Sequence, residues 1–195
     1  MNVLTIDIDY AYSPSISEYD DFVIGSRISL DQQKTILKEN NCAKPVVNLQ
    51  KFNQLCSIFN LFRKEATIFT VQNHHEIMNY LNTDEDLYIE NIDHHHDIYY
   101  PGWHDLGSLD EGNWVYHISK TGKLKRYTWF RNKDSELFCS TIDLNFQFIQ
   151  HDVLKIEYIT KPDIIVLCGS PHWTLDTQSS LLNILIRGNN DNAEI

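Results

Sequence analysis

The chain has 195 residues, 42% hydrophobic and 12% aromatic, enough apolar content to build a full core as one domain spanning 1–195 and too much for a disordered chain. No apolar run approaches the roughly 20 residues of a membrane-crossing helix. A net charge of −11, from 16 basic against 27 acidic residues, excludes a general nucleic-acid binder, which needs clustered Lys and Arg. Cys42, Cys56, Cys139 and Cys168 show no CxxC spacing, and no basic start precedes an apolar export segment. The expectation is a cytoplasmic protein with reduced thiols, bound neither to membrane nor to nucleic acid.

In chain order, Val3 to Asp9 reads as a strand, followed by a Tyr/Ser/Pro loop up to about Arg27. Leu30 to Glu39 reads as a helix with Ser29 as N-cap. Asn48 to Lys64 places Leu49, Phe52, Leu55, Cys56, Phe59, Leu61 and Phe62 close to helical spacing. Ala66 to Val71 is a strand, His75 to Leu81 starts a helix, and Leu87 to Asp93 is the next strand. A long loop runs through Pro101-Gly102 to Gly112. Trp114 to Ile118 and Lys125 to Phe130 flank Lys120-Thr-Gly-Lys123, predicting a β-hairpin. Leu137 to Phe148 is β-rich, and Asp163 to Cys168 reads as a buried strand of a parallel sheet. Thr174 to Arg187 reads as a closing helix, and Gly188 to Ile195 as a polar, frayed tail. The alternation predicts a three-layer α/β fold: a mainly parallel sheet flanked by helices, plus a hairpin insertion.

The chemistry gathers where strands end. Asp93-His-His-His-Asp97 packs five metal-capable side chains into consecutive positions after the apolar Leu87-Tyr-Ile89. On an extended backbone Asp93, His95 and Asp97 share one face, and His94 and His96 the other. The first strand ends in Asp7 and Asp9, again two apart. Buried carboxylates in such number need cations or donors. His74 stands at a strand-to-helix junction, well placed as a further ligand. Carboxylates and imidazoles without thiolate suit Mn²⁺, and the donor set also accommodates Fe²⁺ or Zn²⁺. Ligand sites in such folds lie beyond the carboxyl ends of the strands.

These residues resemble the arginase (ureohydrolase) superfamily. Asp93/His95/Asp97 resembles its Asp-x-His-x-Asp motif, Thr5-Ile-Asp7-Ile-Asp9 its Ser-x-Asp-x-Asp strand end, and Asn73-His74 its histidine loop. Glu111-Gly-Asn113-Trp114 is similar to the substrate-touching Ser-Gly-Asn segment. Here the Asp-x-Asp strand comes first, and no Thr-x-Arg-Glu-Gly segment is present. That permuted, compact order, with Ser170-Pro-His-Trp-Thr174 late in the chain, resembles the peptide arginases. These convert arginine in a ribosomally made precursor peptide to ornithine and urea.

The resemblance implies an arginase-like fold and two Mn²⁺ ions bridged by Asp7 and Asp93. Asp97 and His74 would complete one ion, Asp9 and His95 the other. Water made acidic between the ions would attack the guanidinium carbon. Glu111 is the candidate acid for the guanidinium, with Asn113 and Trp114 beside it and Glu18 or Asp110 as alternatives. His104 or His172 would carry a proton to the leaving amine. Trp103, Trp114 and Trp173 would stack on the substrate or serve the core. Asp93-His94-His95 also matches, letter for letter, the strand-end string of the Asp-His-His phosphoesterases, the competing expectation.

Overall fold

A computed structural model describes residues 1–13, 22–23, 25–82, 84–100, 106–138, 142–175 and 180–187. Its centre is a six-stranded, all-parallel sheet. β1 (Asn2–Asp7) runs into a 3₁₀ turn, Ile8–Ala11. Tyr12–Ser13 (β2) pairs antiparallel with Val46–Val47 (β3) as a separate two-stranded ribbon. Between them lies helix α1 (Leu30–Glu39), and after them α2 (Leu49–Phe62). β4 (Thr67–Val71) leads into a 3₁₀ segment, His74–Asn79, and then β5 (Leu87–Ile92). Helix α3 (Trp114–Ser119) precedes β6 (Leu124–Phe130), β7 (Gln147–His151) and β8 (Ile164–Cys168). Two helices follow, α4 (Pro171–Thr174) and α5 (Ser180–Arg187). The strand order is β4-β8-β1-β5-β6-β7.

The α/β architecture with a parallel sheet between helices agrees with the sequence expectation, and alternation explains the layers. Leu4 and Ile6 of β1, with Ile165 and Leu167 of β8, face one core, where α2 contributes Phe52, Leu55, Ile58 and Phe59. Val3, Ile89, Val166 and Cys168 face the opposite core, which α3 covers with Trp114, Val115 and Ile118. Each fully buried Leu or Ile contributes on the order of 1.5–3 kcal/mol. α1 starts where expected: Ser29 caps it in a capping box with Gln32. The Asn48 side chain accepts from the N–H groups of Gln50 and Lys51 and so begins α2.

Several boundaries differ. No β-hairpin forms around Lys120–Lys123: Trp114–Ser119 is helical, and β6 pairs in parallel with β5 and β7. Trp, Val, Tyr and Ile give this segment strand-like residues, but tertiary contacts decide, since the Val115 N–H donates to the Asp97 carbonyl. Among the described residues of the β-rich stretch Leu137 to Phe148, strand structure begins at Gln147 and runs on to His151; 139–141 lie outside the described residues. The closing helix consists of two pieces, α4 and α5, with 176–179 outside the described residues. The tail 188–195 and Cys139 also lie outside them. Cys42, Cys56 and Cys168 are free thiols. Among the described residues no helix is long and apolar enough to cross a membrane.

Candidate metal centre

β1 and β5 lie side by side in the middle of the sheet, so their carboxyl ends deliver Asp7 and Asp93 to one place. β4 sits two strands away and sends His74 back across that end. The Thr5 hydroxyl holds His74 Nε2 at 2.6 Å and so turns Nδ1 toward the carboxylates. Nδ1 lies 2.8 Å from Asp97 Oδ2, 2.9 Å from Asp93 Oδ2 and 3.4 Å from Asp7 Oδ2. It is buried and makes no hydrogen bond of proper geometry with any of them. On the other side of Asp93, His95 Nδ1 lies 2.9 Å from Asp9 Oδ2 and 3.8 Å from Asp93 Oδ1.

Three groups of side chains have ligand atoms within 4.8 Å of one another: Asp9/Asp93/His95, His74/Asp93/Asp97 and Asp7/His74/Cys168. These buried Asp/His clusters could hold a metal ion, and Asp93 belongs to two of them. The donor chemistry fits a divalent cation, because hard carboxylate oxygens and imidazole nitrogens surround a nitrogen that has no hydrogen-bond partner. Cys168 is the unforeseen member. Burial, then the nearby Asp7 charge, pushes its thiol well above the ordinary range, and Sγ rests against Ser170 Oγ at 3.3 Å.

Without a cation the cluster is electrostatically strained. Burial raises the carboxyls of Asp7 and Asp9, and the Asp93 charge adds to both. The same two causes push Asp97 up to about 7. Asp93 differs: burial opposes its charge, but His74 and His95 prevail and hold it below the usual range. His74 is buried too, yet Asp93 and Asp97 raise it well above its ordinary value. One carboxylate–imidazolium pair thus sits among acids that resist ionising together.

Outer contacts fix the ligands. Asp7 Oδ1 accepts from the Asp9 N–H, and Asp7 Oδ2 from the Ser170 hydroxyl. Asn91 Nδ2 donates to Asp93 Oδ2 at 3.1 Å, while the Trp129 indole donates to the Asp93 carbonyl. Asp97 adopts a left-handed backbone, φ 53°, rare outside glycine. The Trp114 indole N–H donates to Asp97 Oδ2 at 2.7 Å and holds it there. Trp114→Phe removes that donor while keeping the ring. Metal affinity is expected to fall about 10- to 100-fold, as for outer partners elsewhere. Calorimetric Mn²⁺ titration measures it, and an unchanged Kd would discard the role.

The centre forms the floor of a cavity of about 190 Å³. Among the described residues its walls include Gly25, Arg27, His94, Tyr100, Glu111, Glu136, Ser170 and Trp173. All six ligand-type residues of the motifs, Asp7, Asp9, His74, Asp93, His95 and Asp97, line it. They converge through a turn rather than through strand alternation, because β5 ends at Ile92. His94 therefore also faces the cavity, while His96 packs between Tyr100, Trp129 and Phe138.

The other sequence candidates divide. Glu111 lines the wall, where Ser26 donates to it twice, N–H to Oε1 at 2.7 Å and Oγ to Oε2 at 2.6 Å. Burial opposes its charge, but His75 and Ser26 outweigh burial and bring it down to about 2. Asn113 does not reach the cavity: its amide accepts from the Asp110 N–H and donates to the Ser108 carbonyl, stapling the loop. Trp114 is fully buried and acts on Asp97 rather than on the cavity. His172 turns to the Ile28 carbonyl, 2.9 Å from Nε2, and is not among the described lining residues. Asp110 caps the Gly112 N–H and pairs with Arg27 at 2.7 Å. Trp173 does line the cavity, its ring 4.2 Å from that of His95. Glu18, Trp103 and His104 lie outside the described residues. Tyr100, Arg27 and Glu136 were not anticipated, and no motif marks them.

Gly25 explains how Glu111 fits. Its φ is +70°, and a β-carbon there would stand 1.8 Å from Glu111 Oε1. Gly25→Ala is expected to cost about 1–3 kcal/mol. Urea unfolding measures this, and an unchanged midpoint would refute the close approach.

Comparison with family models, curated proteins and solved structures gives no match for this chain.

Proposed function

We propose that the chain is a metal-dependent hydrolase of the arginase type. It acts on the guanidinium of arginine side chains in a ribosomally made precursor peptide and gives ornithine and urea. One observation carries the reading. Side chains from three separated stretches, ending β1, following β4 and following β5, meet in one buried acid–imidazole cluster beneath an open cavity. Asp7, Asp9, His74, Asp93, His95 and Asp97 would hold the two divalent ions, Mn²⁺ by donor type. Such ions lower the pKa of water and stabilise charge that develops during attack.

The chain's own residues do the rest. Thr5 and Trp114 orient His74 and Asp97. Glu111, pinned by Ser26 and held ionised, presents a fixed negative charge to a planar guanidinium. The Trp173 and Tyr100 rings line the cavity and offer aromatic surface to a flat cation. His104 remains the proposed proton carrier, since the His172 ring is tied to Ile28. The expected compartment is the cytoplasm, where such a peptide is made.

A phosphoesterase of the Asp-His-His kind gains from His94 facing the cavity. It loses because Arg27 is the single Lys or Arg among the described lining residues, and Arg27 is paired with Asp110. The decisive experiment loads the protein with Mn²⁺ and offers an arginine-containing peptide and, separately, a phosphodiester. Urea with matching ornithine supports the proposal; phosphodiester cleavage without urea replaces it with the competitor.

A further inference from the structure

The buried acids of the cavity are occupied. Asp7, Asp9, Asp93 and Asp97 are bound up with His74 and His95, and Glu111 is clamped by Ser26 and faces His75 at 3.6 Å. Glu136 is different. It lines the cavity, is exposed, and makes no hydrogen bond or ion pair with any described residue. Its place is nonetheless built. Arg131 is almost fully buried, and its Nη1 donates to the carbonyls of Asn132, Lys133 and Ser135. Asn132 reaches the Tyr10 carbonyl and the His94 ring, and the Ser135 hydroxyl accepts from the Asn132 N–H. Beyond Glu136, Phe138 packs edge-on against His96 with ring centroids 5.0 Å apart. Two anchors thus hold the segment against the Asp93–Asp97 turn.

We infer that Glu136 is a specificity-determining residue that takes a second cationic nitrogen of the substrate at the cavity mouth, while the guanidinium goes to the floor. This rests on the reading of the site as a guanidinium hydrolase. Glu111 is largely buried and fixed, whereas Glu136 is exposed and uncommitted, so the two acids of one cavity differ in their access to solvent. A ligand with positive charge at both ends satisfies both; a ligand with one charge leaves the mouth acid unpaired. The second nitrogen could be the α-ammonium of a free or N-terminal arginine, or the side chain of a basic neighbour within a peptide.

The test uses full-length, Mn²⁺-loaded protein and three probes: N-acetyl-arginine amide, arginine amide and N-acetyl-lysyl-arginine amide. Affinity is measured by calorimetry and urea release in parallel. Wild type is expected to bind at least one dication about five-fold tighter than the monocation, the scale of a partly exposed charge pair. Whichever dication gains identifies the source of the nitrogen. Glu136→Gln should bring the ratio close to one, and Glu136→Asp should restore part of it. Equal affinities in wild type, or a ratio that survives Glu136→Gln, overturns the inference. Urea release with no such ratio leaves the hydrolase reading standing and removes Glu136. A Glu136-dependent ratio without urea from any probe does the reverse.

Discussion

Asp93→Asn is expected to remove urea release and metal retention together. Asp93 is the one residue common to the Asp9/Asp93/His95 and His74/Asp93/Asp97 groups, so losing its charge strips a donor from both. It is also the carboxylate the cluster keeps ionised, held below the usual range by His74 and His95. Outer partners alone cost about 10- to 100-fold in affinity or activity elsewhere, so a shared inner donor should cost at least about 100-fold. The amide can still accept from Asn91 and fits the same volume, so the fold should persist. Metal analysis after gel filtration, urea assay and circular dichroism are read together. A folded variant that keeps its metal and more than a tenth of its activity would remove Asp93 from the centre.

The second large effect is a pH dependence with an unusual sign. A carboxyl whose folded pKa is raised binds its proton more tightly when folded, so it favours the fold at low pH and loses that contribution as pH rises. Asp97, moved from 3.8 to about 7, loses on the order of 4 kcal/mol between pH 4 and 7. Asp7 and Asp9 shift in the same direction. His74 is also raised; its contribution is complete below the ordinary histidine range and fades as pH rises through its folded value. The depressed acids, Asp93 and Glu111, act only below about pH 5, where they still titrate in the unfolded chain. Up to about pH 7 the Asp97 shift therefore lowers stability as pH rises, and the Asp7, Asp9 and His74 shifts have the same sign.

EDTA-treated protein should melt roughly 4–8 °C lower at pH 8 than at pH 5.5, since about 2 kcal/mol of the Asp97 contribution is lost in that interval. Mn²⁺ should reverse this, because a cation binds the ionised carboxylates, releases protons and gains affinity as pH rises. Thermal melts at matched ionic strength test both statements. A metal-free melting point that climbs across this range would mean that the acids do not share a buried cluster.

The sequence revealed most where burial leaves its own trace. Strands in the middle of a parallel sheet are largely apolar, so Val3 to Asp9, Leu87 to Asp93 and Asp163 to Cys168 announced it, with structure running over Asn2–Asp7, Leu87–Ile92 and Ile164–Cys168. The Asp-x-Asp and Asp-x-His-x-Asp spacings were legible because metal donors at a strand end must lie close together along the chain. α3 was not legible. Its Trp-Val-Tyr-His-Ile pattern favours a strand, and only contacts with Asp97, distant in sequence, make it a helix. The same distance hid the partner of Glu111, since Ser26 lies 85 positions away and shows no spacing that links the two. Asn113 was expected at the substrate because Glu111-Gly-Asn113 resembles the Ser-Gly-Asn segment, yet its hydrogen bonds close a local loop. Glu136 carries no sequence signal at all, as its place on the cavity comes from the loop that Arg131 braces.

The place of β8 in the sheet bears on how the chain assembles. β8 fits between β1 and β4, pairing Ile164 with both Val3 and Thr67, so the strand that carries Asp7 gains one of its two neighbours only when the far end of the chain arrives. Contacts so distant along the chain are slow to form, because a long loop must be closed before any pairing is gained. Ser170, whose hydroxyl braces Asp7, follows β8 almost at once. During synthesis the chain thus displays its acidic donors long before the segment that secures them exists. A divalent ion bound to these acids when β8 inserts would favour the native arrangement over competing collapsed ones, so metal supply during synthesis would raise folding yield.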